Sequence, residues 1–257
     1  MPANSDAATR IQRLGILVCD EIASPLREVH GQYADMFTRL LADTGFELVP
    51  YRVYAGEFPH DVAACDAYLV SGSRRSVYED LPWIARLSAF LHDLYAARRR
   101  VVGICFGHQL IGQAMGGRAE RAPQGWGLGR QPAEVLETLA WMQPPAASYA
   151  LYAVHQDQVT TLPPRARRLA QSAHCENAMF VLDDLFLGVQ GHPEFERAYA
   201  QAITENKRGI VADEVIDAAL PTFEQPVDAA LLARWISGFL SGDAQGDIEQ
   251  ASTSGAR

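Results

Sequence analysis

The stretch "VVGICFGHQ", from Val101 to Gln109, carries the strongest structural signal in the chain. Its first four residues are typical of a buried strand, and a helical pattern follows that reaches Gly117. Gly103 and Gly107 flank the single cysteine at equal distances, as expected where a strand and a helix meet too closely for side chains. The pattern predicts a sharp strand–turn–helix elbow with Cys105 at its tip.

An elbow of this kind presents its central residue at the carboxyl end of a sheet, beside the N-terminus of a helix. The helix dipole there favours a thiolate on Cys105, and the N–H of Phe106 can face an oxyanion on a substrate. The alternative is a buried core cysteine, the ordinary environment of a free thiol. The choice between the two depends on whether a general base lies nearby.

A histidine and a carboxylate follow a second predicted strand, in the segment "GHPEF" (191–195). Residues two apart in an extended segment point to the same side, which places His192 and Glu194 on one face. A carboxylate beside an imidazole orients it and stabilises its charged form. The sequence therefore predicts Cys105, His192 and Glu194 as nucleophile, base and orienting acid.

Strands and helices alternate in the first half of the chain. This order predicts a mostly parallel central sheet with helices on both faces. The predicted strands are 14–20, 46–54, 66–73 and 101–104, and the predicted helices are 29–44, 83–94 and 106–117.

Beyond Arg118 short strands follow one another, and they predict antiparallel additions to the same sheet. They lie at 149–155, 167–172, 179–182 and 185–190, before helices at 196–206 and 229–240. The expected fold is a three-layer α/β fold in one domain, residues 13–242. The polar ends, 1–12 and 243–257, are expected to be disordered tails.

Composition excludes several classes of protein. Apolar residues make up 48% and charged residues 21% of the 257, as in ordinary globular proteins. A net charge of −9 argues against a nucleic-acid partner. No apolar run approaches the ~20 residues of a membrane span, and the first ten residues lack the apolar core of a signal peptide. We expect a cytoplasmic protein that interacts with neither nucleic acid nor membrane.

The four cysteines form no CxxC pair. We therefore expect free thiols and no metal site, since zinc needs three or four convergent ligands. No cofactor is expected either.

Taken together, the motifs resemble those of class I glutamine amidotransferases with a Cys-His-Glu triad. The chain is most similar to stand-alone proteins like the amidotransferase domain of GMP synthase. The motifs keep the family's order between Leu14 and Leu240, and the resemblance implies a flavodoxin-like core. They are "GICFGHQ" for G-x-C-x-G-x-Q, "GHPEF" for H-P-E, "SGS" (71–73) at the oxyanion loop and "VHQDQV" (154–159) for H-x-D-x-V.

The resemblance implies a reaction. The Cys105 thiolate attacks the γ-carboxamide of glutamine, and backbone N–H groups of Gly72 and Phe106 hold the oxyanion. His192 protonates the departing ammonia, and water then hydrolyses the γ-glutamyl thioester.

Several further residues have two interpretations. Gln109 lies one helical turn past the cysteine and either faces the substrate, as in the family, or is solvated. His155 and Asp157 either line the site or stabilise a loop, and Trp126 is either a pocket wall or plain packing. His108 points elsewhere on its helix and is expected to be structural.

The oxyanion loop departs from the family, whose usual G-G-P is replaced by "GSRRS" (72–76). Ser73 in place of glycine restricts the backbone flip that aims an N–H at the oxyanion. Arg74 and Arg75 either contact a substrate carboxylate or are solvated.

Three functional hypotheses follow. The first is glutamine hydrolysis that supplies ammonia to a partner synthetase, because the chain has no P-loop or pyrophosphate-binding loop of its own. The second is a γ-glutamyl peptidase that acts alone on γ-glutamyl amides. The third is a non-catalytic regulatory binding protein with the same fold.

Overall fold

A computed structural model describes residues 12–242 of the chain. The predicted tails therefore lie outside the described residues, apart from Gln12. The strands are β1 (Arg13–Val18), β2 (Glu47–Arg52), β3 (Ala67–Val70), β4 (Arg100–Ile104), β5 (Arg118–Arg121), β6 (Gly127–Val135), β7 (Ser148–His155), β8 (Asp157–Thr161), β9 (Ala166–Ser172), β10 (Met179–Leu182) and β11 (Phe186–Val189). The helices are α1 (Leu26–His30), α2 (Tyr33–Leu40), α3 (Pro82–Ala96), α4 (Phe106–Ala114), α5 (Arg197–Glu205), α6 (Asp213–Ala219) and α7 (Ala229–Ser241). In this part of the chain no helix is long and apolar enough to cross a membrane.

Within residues 12–242, nine strands form one sheet in the order β2–β1–β3–β4–β11–β10–β9–β6–β7. The first five of these run parallel to one another. The other four continue the sheet with antiparallel pairing, and β5 pairs with β8 in a separate ribbon. This arrangement confirms the predicted central sheet with added antiparallel strands. One expectation is wrong: the strand predicted at 185–190, now β11, was expected among the antiparallel additions but runs parallel to β4, because it returns to the sheet from the β10–β11 hairpin beside that strand.

Both faces of the sheet are covered by helices. On β1, Leu14 and Ile16 pack into one core and Leu17 into the other, as the alternation of side chains along a strand requires. The first core holds apolar residues of α2 and α7, and the second holds those of α3 and α4. Every residue of β3 and β11 is buried, which explains why both strands are continuous apolar runs.

The single helix predicted over residues 29–44 is wrong. The structure has α1 and α2 there, separated by Gly31 with φ of +79°. Gln32 caps α2, and its backbone N–H donates to Asp35 Oδ2 at 2.8 Å. This reciprocal cap satisfies the free N–H groups of a new helix start, so the chain begins a second helix rather than continuing the first.

Strand β6 has no counterpart among the predicted strands. Its sequence contains two glycines and Pro132, residues that are depleted in strands. The structure pairs all but the last residue of β6 with β7, but only Ala133–Val135 also pair with β9. One side of the strand at Pro132 therefore needs no N–H donor, and this is how the sheet accommodates the proline.

Gly103 and Gly107 bring β4 and α4 into direct contact. A Cβ on Gly103 would lie 2.4 Å from the carbonyl carbon and oxygen of Gly107. A Cβ on Gly107 would lie 2.4 Å from the backbone oxygen of Val70. Backbone atoms cannot rotate away as a flexible side chain can, so both positions require glycine, as the elbow pattern predicts.

Gly107→Ala is expected to lower the free energy of unfolding by about 1–3 kcal/mol, because α4 must move away from β3. Urea denaturation measures the loss. Gly112→Ala is the matched control on the same helix, since its new methyl group would lie 2.6 Å from a side-chain atom, Val159 Cγ2, and not from backbone. Equal destabilisation by the two substitutions would contradict the backbone-contact explanation.

Candidate active site

Cys105 occupies the turn between β4 and α4 in a strained conformation, with φ 51° and ψ −100°. Its N–H donates to the Val189 carbonyl at 2.9 Å, and its own carbonyl accepts from Gln109 N at 3.0 Å. The residue is only 6% exposed, yet it lines a cavity of about 470 Å³. The predicted alternatives are thus not exclusive, since Cys105 is buried in the fold and faces an internal cavity.

His192 and Glu194 lie beside this cysteine because β4 and β11 are adjacent parallel strands that end at the same edge. His192 Nδ1 lies 2.7 Å from Glu194 Oε1, and the imidazole lies close enough to the Cys105 side chain for that side chain to raise the pKa of His192. The His192 N–H donates to the Tyr152 carbonyl, and the Phe195 ring stacks on the imidazole at 3.8 Å. The structure therefore brings the three predicted residues together in one row, with His192 between Cys105 and Glu194.

Electrostatics favour a charged imidazole in this row. Burial alone would lower the pKa of His192, but the charges of Glu194 and Cys105 and the hydrogen bonds to both outweigh it and raise the pKa above its ordinary value. Glu194 Oε2 is buried and accepts no hydrogen bond from residues 12–242. The carboxylate thus acts mainly on His192, and an imidazolium beside the sulfur stabilises a thiolate.

Two glutamines connect the cysteine to the cavity wall. Gln190 Nε2 lies 3.6 Å from Cys105 Sγ, and Gln190 Oε1 accepts from Gln109 Nε2 at 3.2 Å. Gln109 Nε2 also donates to the backbone oxygen of Asp157 at 2.7 Å. Gln109 is buried and lines the cavity, so the solvated alternative is wrong. Gln190 was not predicted, although its position two residues before His192 in an extended segment places it on the same side.

The loop after β3 carries Gly72, one of the two predicted oxyanion donors. A Cβ on Gly72 would lie 2.9 Å from His192 Cε1, so this glycine borders the imidazole. The Ser71 hydroxyl donates to the Gly72 carbonyl at 2.9 Å. Because a trans peptide directs its C=O and N–H to opposite sides, the N–H of Ser73 points away from that hydroxyl. Ser73 also lines the cavity and is therefore a second donor candidate.

Phe106 is the first residue of α4 and is fully buried, with its ring against Trp83 at 5.5 Å between centroids. A backbone N–H in the first turn of a helix has no acceptor within that helix. The position thus supplies a donor beside Cys105, while the side chain serves packing.

Both arginines of the loop are paired with carboxylates of the protein. Arg74 donates to Asp20 from its backbone N at 2.8 Å, from Nε at 2.9 Å and from Nη2 at 2.9 Å. Burial would raise the pKa of Asp20, but these hydrogen bonds hold it below its ordinary value. Arg75 Nη1 lies 3.3 Å from Glu79 Oε2 on the exposed side. Arg74 is thus an anchor of the oxyanion loop, a role the sequence did not predict.

Asp20→Asn is expected to lower kcat about tenfold to a hundredfold while KM changes little, because a small misplacement of the oxyanion loop weakens transition-state binding. Steady-state kinetics with a cleaved substrate measure the split. Glu79→Gln, which weakens the exposed pair with Arg75 but keeps an amide oxygen that can accept from the Ser76 N–H, should retain most of the activity. Similar losses in the two variants would contradict a specific role for the Asp20 anchor.

His155 and Asp157 line the cavity, and their contacts also hold the loop after β3. The Asp157 carboxylate accepts from Ser76 Oγ at 2.5 Å and from the Tyr78 hydroxyl at 3.1 Å. His155 Nδ1 lies 3.2 Å from the Asp157 backbone oxygen, and burial lowers the pKa of this histidine to about 3. His108 is buried away from the cavity, and burial lowers its pKa to about 3 as well, consistent with the expected structural role.

The remaining cysteines are core residues. Cys19, Cys65 and Cys175 are free, as expected, and burial raises the thiol pKa of each. None of the three lines the cavity. Of the four cysteines, Cys105 alone lines the cavity.

Comparison with known proteins agrees with this geometry. The family model described as "Glutamine amidotransferase class-I" matches residues 26–210. The chain is 36% identical to γ-glutamyl peptidase 4 of Arabidopsis thaliana over 66% of its length and 71% of that protein. It is 30% identical to γ-glutamyl peptidase 3 of the same plant, over 89% of this chain and 96% of that protein.

The expected similarity to GMP synthase is also found. The chain is 30% identical to the glutamine-hydrolyzing GMP synthase of Bacillus pumilus, over 70% of its length but 33% of that protein. A solved glutamine amidotransferase from Methylobacillus flagellatus has the same fold, with a TM-score of 0.67, 24% identity and coverage of 89% of this chain and 95% of that one. The chain therefore belongs to the class I glutamine amidotransferase family.

Proposed function

We propose that the protein hydrolyses γ-glutamyl amides through a γ-glutamyl thioester on Cys105, with γ-glutamyl peptides as substrates. One domain, residues 13–242, is proposed to carry this activity. The observation that carries the proposal is the placement of Cys105 and His192 at the wall of a large cavity, with Glu194 hydrogen-bonded to His192 behind them. The names of the Arabidopsis relatives support it.

The proposed reaction uses two half-reactions. The Cys105 thiolate attacks the γ-carbonyl carbon, a C–S bond forms, and the carbonyl electrons move onto an oxyanion held by backbone N–H groups of Phe106 and of Gly72 or Ser73. When this intermediate collapses, the C–N bond breaks and His192 gives its proton to the leaving amine. His192 then takes a proton from water, whose oxygen bonds to the thioester carbon. The C–S bond breaks, glutamate leaves and the Cys105 sulfur is regenerated, while Glu194 keeps the imidazole oriented.

The size of the cavity favours a substrate larger than glutamine. Pockets for drug-sized ligands measure roughly 300–1,000 Å³, and the cavity here holds about 470 Å³. Its wall reaches from Cys105 to Trp126 and Lys207 at one side and to Ile22 and Leu26 at another. Ammonia, the leaving group of glutamine, fills almost none of this space, whereas the amino acid released from a γ-glutamyl peptide would occupy it.

Glutamine hydrolysis is the second candidate. It is favoured by the family model and by the similarity to a GMP synthase named as glutamine-hydrolyzing. The same three residues would perform it, and the ammonia would pass to a partner synthetase. The two candidates differ in the leaving group and not in the chemistry at the γ-carbonyl.

A direct comparison of substrates separates the candidates. The purified protein is incubated with γ-glutamyl dipeptides and with glutamine, and the released amino acid, ammonia and glutamate are quantified. We expect a kcat/KM for dipeptides at least about tenfold above that for glutamine. Faster cleavage of glutamine would favour the second candidate. Cleavage of neither would refute both and leave the non-catalytic binding protein.

A further inference from the structure

The basic side chains around the catalytic cavity differ in whether the protein neutralises them. Within the described residues, four lysine or arginine side chains line the cavity, namely Arg74, Arg75, Arg121 and Lys207. Arg74 and Arg75 are paired with carboxylates, and Arg121 is exposed to solvent. Lys207 is half-buried, and no carboxylate of residues 12–242 lies within ion-pair distance of it. A half-buried positive charge that faces a cavity and has no counter-ion favours the binding of an anionic ligand there.

The position of the Lys207 ammonium is defined by one aromatic contact. Its Nζ lies 4.5 Å from the centroid of the Trp126 ring, which also lines the cavity. Trp126 in turn packs on a small apolar cluster that includes Leu128, Val211 and Ile216. The cation–π contact attracts the ammonium to the indole face without neutralising its charge. The cluster therefore holds a positive charge at the cavity wall.

Acidic side chains are present close to Lys207, as the contacts of its neighbour Arg208 show. Arg208 pairs with Glu205, Asp213 and Asp217 at 2.6–3.0 Å on the protein surface. Lys207 lies one position earlier and reaches none of them. Burial and the charge of Arg74 lower the pKa of Lys207, so its charged form is partly desolvated and would be stabilised by an incoming anion.

We propose that Lys207, seated on Trp126, binds a carboxylate of the γ-glutamyl substrate and so selects for acidic substrates. This inference rests on the proposed hydrolysis of γ-glutamyl amides. A γ-glutamyl dipeptide offers two carboxylates, the α-carboxylate of the glutamyl unit and that of the amino acid released. Both present the same chemistry to an ammonium group, and the test distinguishes them.

The test compares Lys207→Gln with the charge-retaining Lys207→Arg on three substrates. These are a γ-glutamyl dipeptide, the same dipeptide with a C-terminal amide, and the dipeptide with its α-carboxylate converted to an amide. On the unmodified dipeptide we expect Lys207→Gln to lower kcat/KM about tenfold to a hundredfold, mainly through KM, and Lys207→Arg to retain most of the activity. One of the two amidated substrates lacks the carboxylate that Lys207 binds. On that substrate Lys207→Gln should cause no further loss of kcat/KM relative to the wild type.

A control variant distinguishes the general effect of removing a positive charge from the effect of removing the charge of Lys207. Arg208→Gln removes one positive charge next in sequence but outside the cavity lining, and it should leave kcat/KM unchanged. An equal loss for Lys207→Gln on all three substrates, or no loss on any, would overturn the proposal.

A measurement of substrate binding tests the carboxylate site independently of the proposed hydrolytic activity. In a Cys105→Ala background, calorimetry with the unmodified dipeptide should show binding that Lys207→Gln weakens about tenfold or more. If the wild type cleaves no γ-glutamyl amide, the proposed function fails while this result still supports the carboxylate site. Unchanged affinity in Lys207→Gln, or no binding in the Cys105→Ala background, overturns the site itself.

Discussion

Cys105→Ser is expected to lower kcat/KM for γ-glutamyl amides by about four to six orders of magnitude, the scale found when other enzymes lose their nucleophile. A serine hydroxyl at this position is almost fully protonated near neutral pH and is a far weaker nucleophile than a cysteine sulfur. Release of the amino acid from a γ-glutamyl dipeptide, measured at high enzyme concentration, gives the residual rate. Circular dichroism checks that the variant remains folded.

Cys175→Ser is the matched control for this experiment. Cys175 is also buried and free, but it does not line the cavity, and burial raises its pKa to about 12. Its replacement should leave kcat/KM close to that of the wild type. If Cys105→Ser kept activity while Cys175→Ser lost it, the nucleophile would have been assigned to the wrong cysteine.

His192→Ala is expected to cause a loss of similar size, about four orders of magnitude or more, because both the proton for the leaving amine and the base for water are removed. Single-turnover measurements should show that formation of the acyl-enzyme, and not only its hydrolysis, has become slow. His60→Ala is the control, since His60 is an exposed histidine paired only with Asp61. Rapid acylation in His192→Ala would show that another group activates the thiol.

The row of Cys105, His192 and Glu194 was predictable because each part has a local signature. The glycines around Cys105 indicate an elbow, and the alternation of His192 and Glu194 places them on one side of an extended segment. Both segments follow strands, and adjacent parallel strands bring their ends together. Gln190 obeys the same alternation and could have been included.

Other parts of the site depend on contacts between distant segments. Asp20 and Arg74 are 54 residues apart, and neither lies in a motif that predicts their pairing. Lys207 faces the cavity because of the turn after α5 and the Trp126 cluster, which no periodic pattern reveals. Such arrangements follow from tertiary packing, so only the structure could show them.

The same distinction applies to the fold. The inner parallel strands β1, β3 and β4 are largely apolar because both faces of the sheet are buried around them, and they were predicted. Strand β6 was missed because its pairing with β7 outweighs the low strand propensity of glycine and Pro132. The break between α1 and α2 depends on the Gln32–Asp35 cap, a local interaction that competes with helix continuation.

The central claim is that Cys105 forms a covalent γ-glutamyl thioester, and peptide mass spectrometry tests it most directly. The wild-type protein is mixed with a γ-glutamyl dipeptide, quenched with acid during turnover, and digested to locate any adduct. We predict a γ-glutamyl group on the peptide that contains Cys105, and none in Cys105→Ser. Two results would contradict the account. One is turnover by the wild type with the γ-glutamyl group on another residue, and the other is turnover that persists in Cys105→Ser.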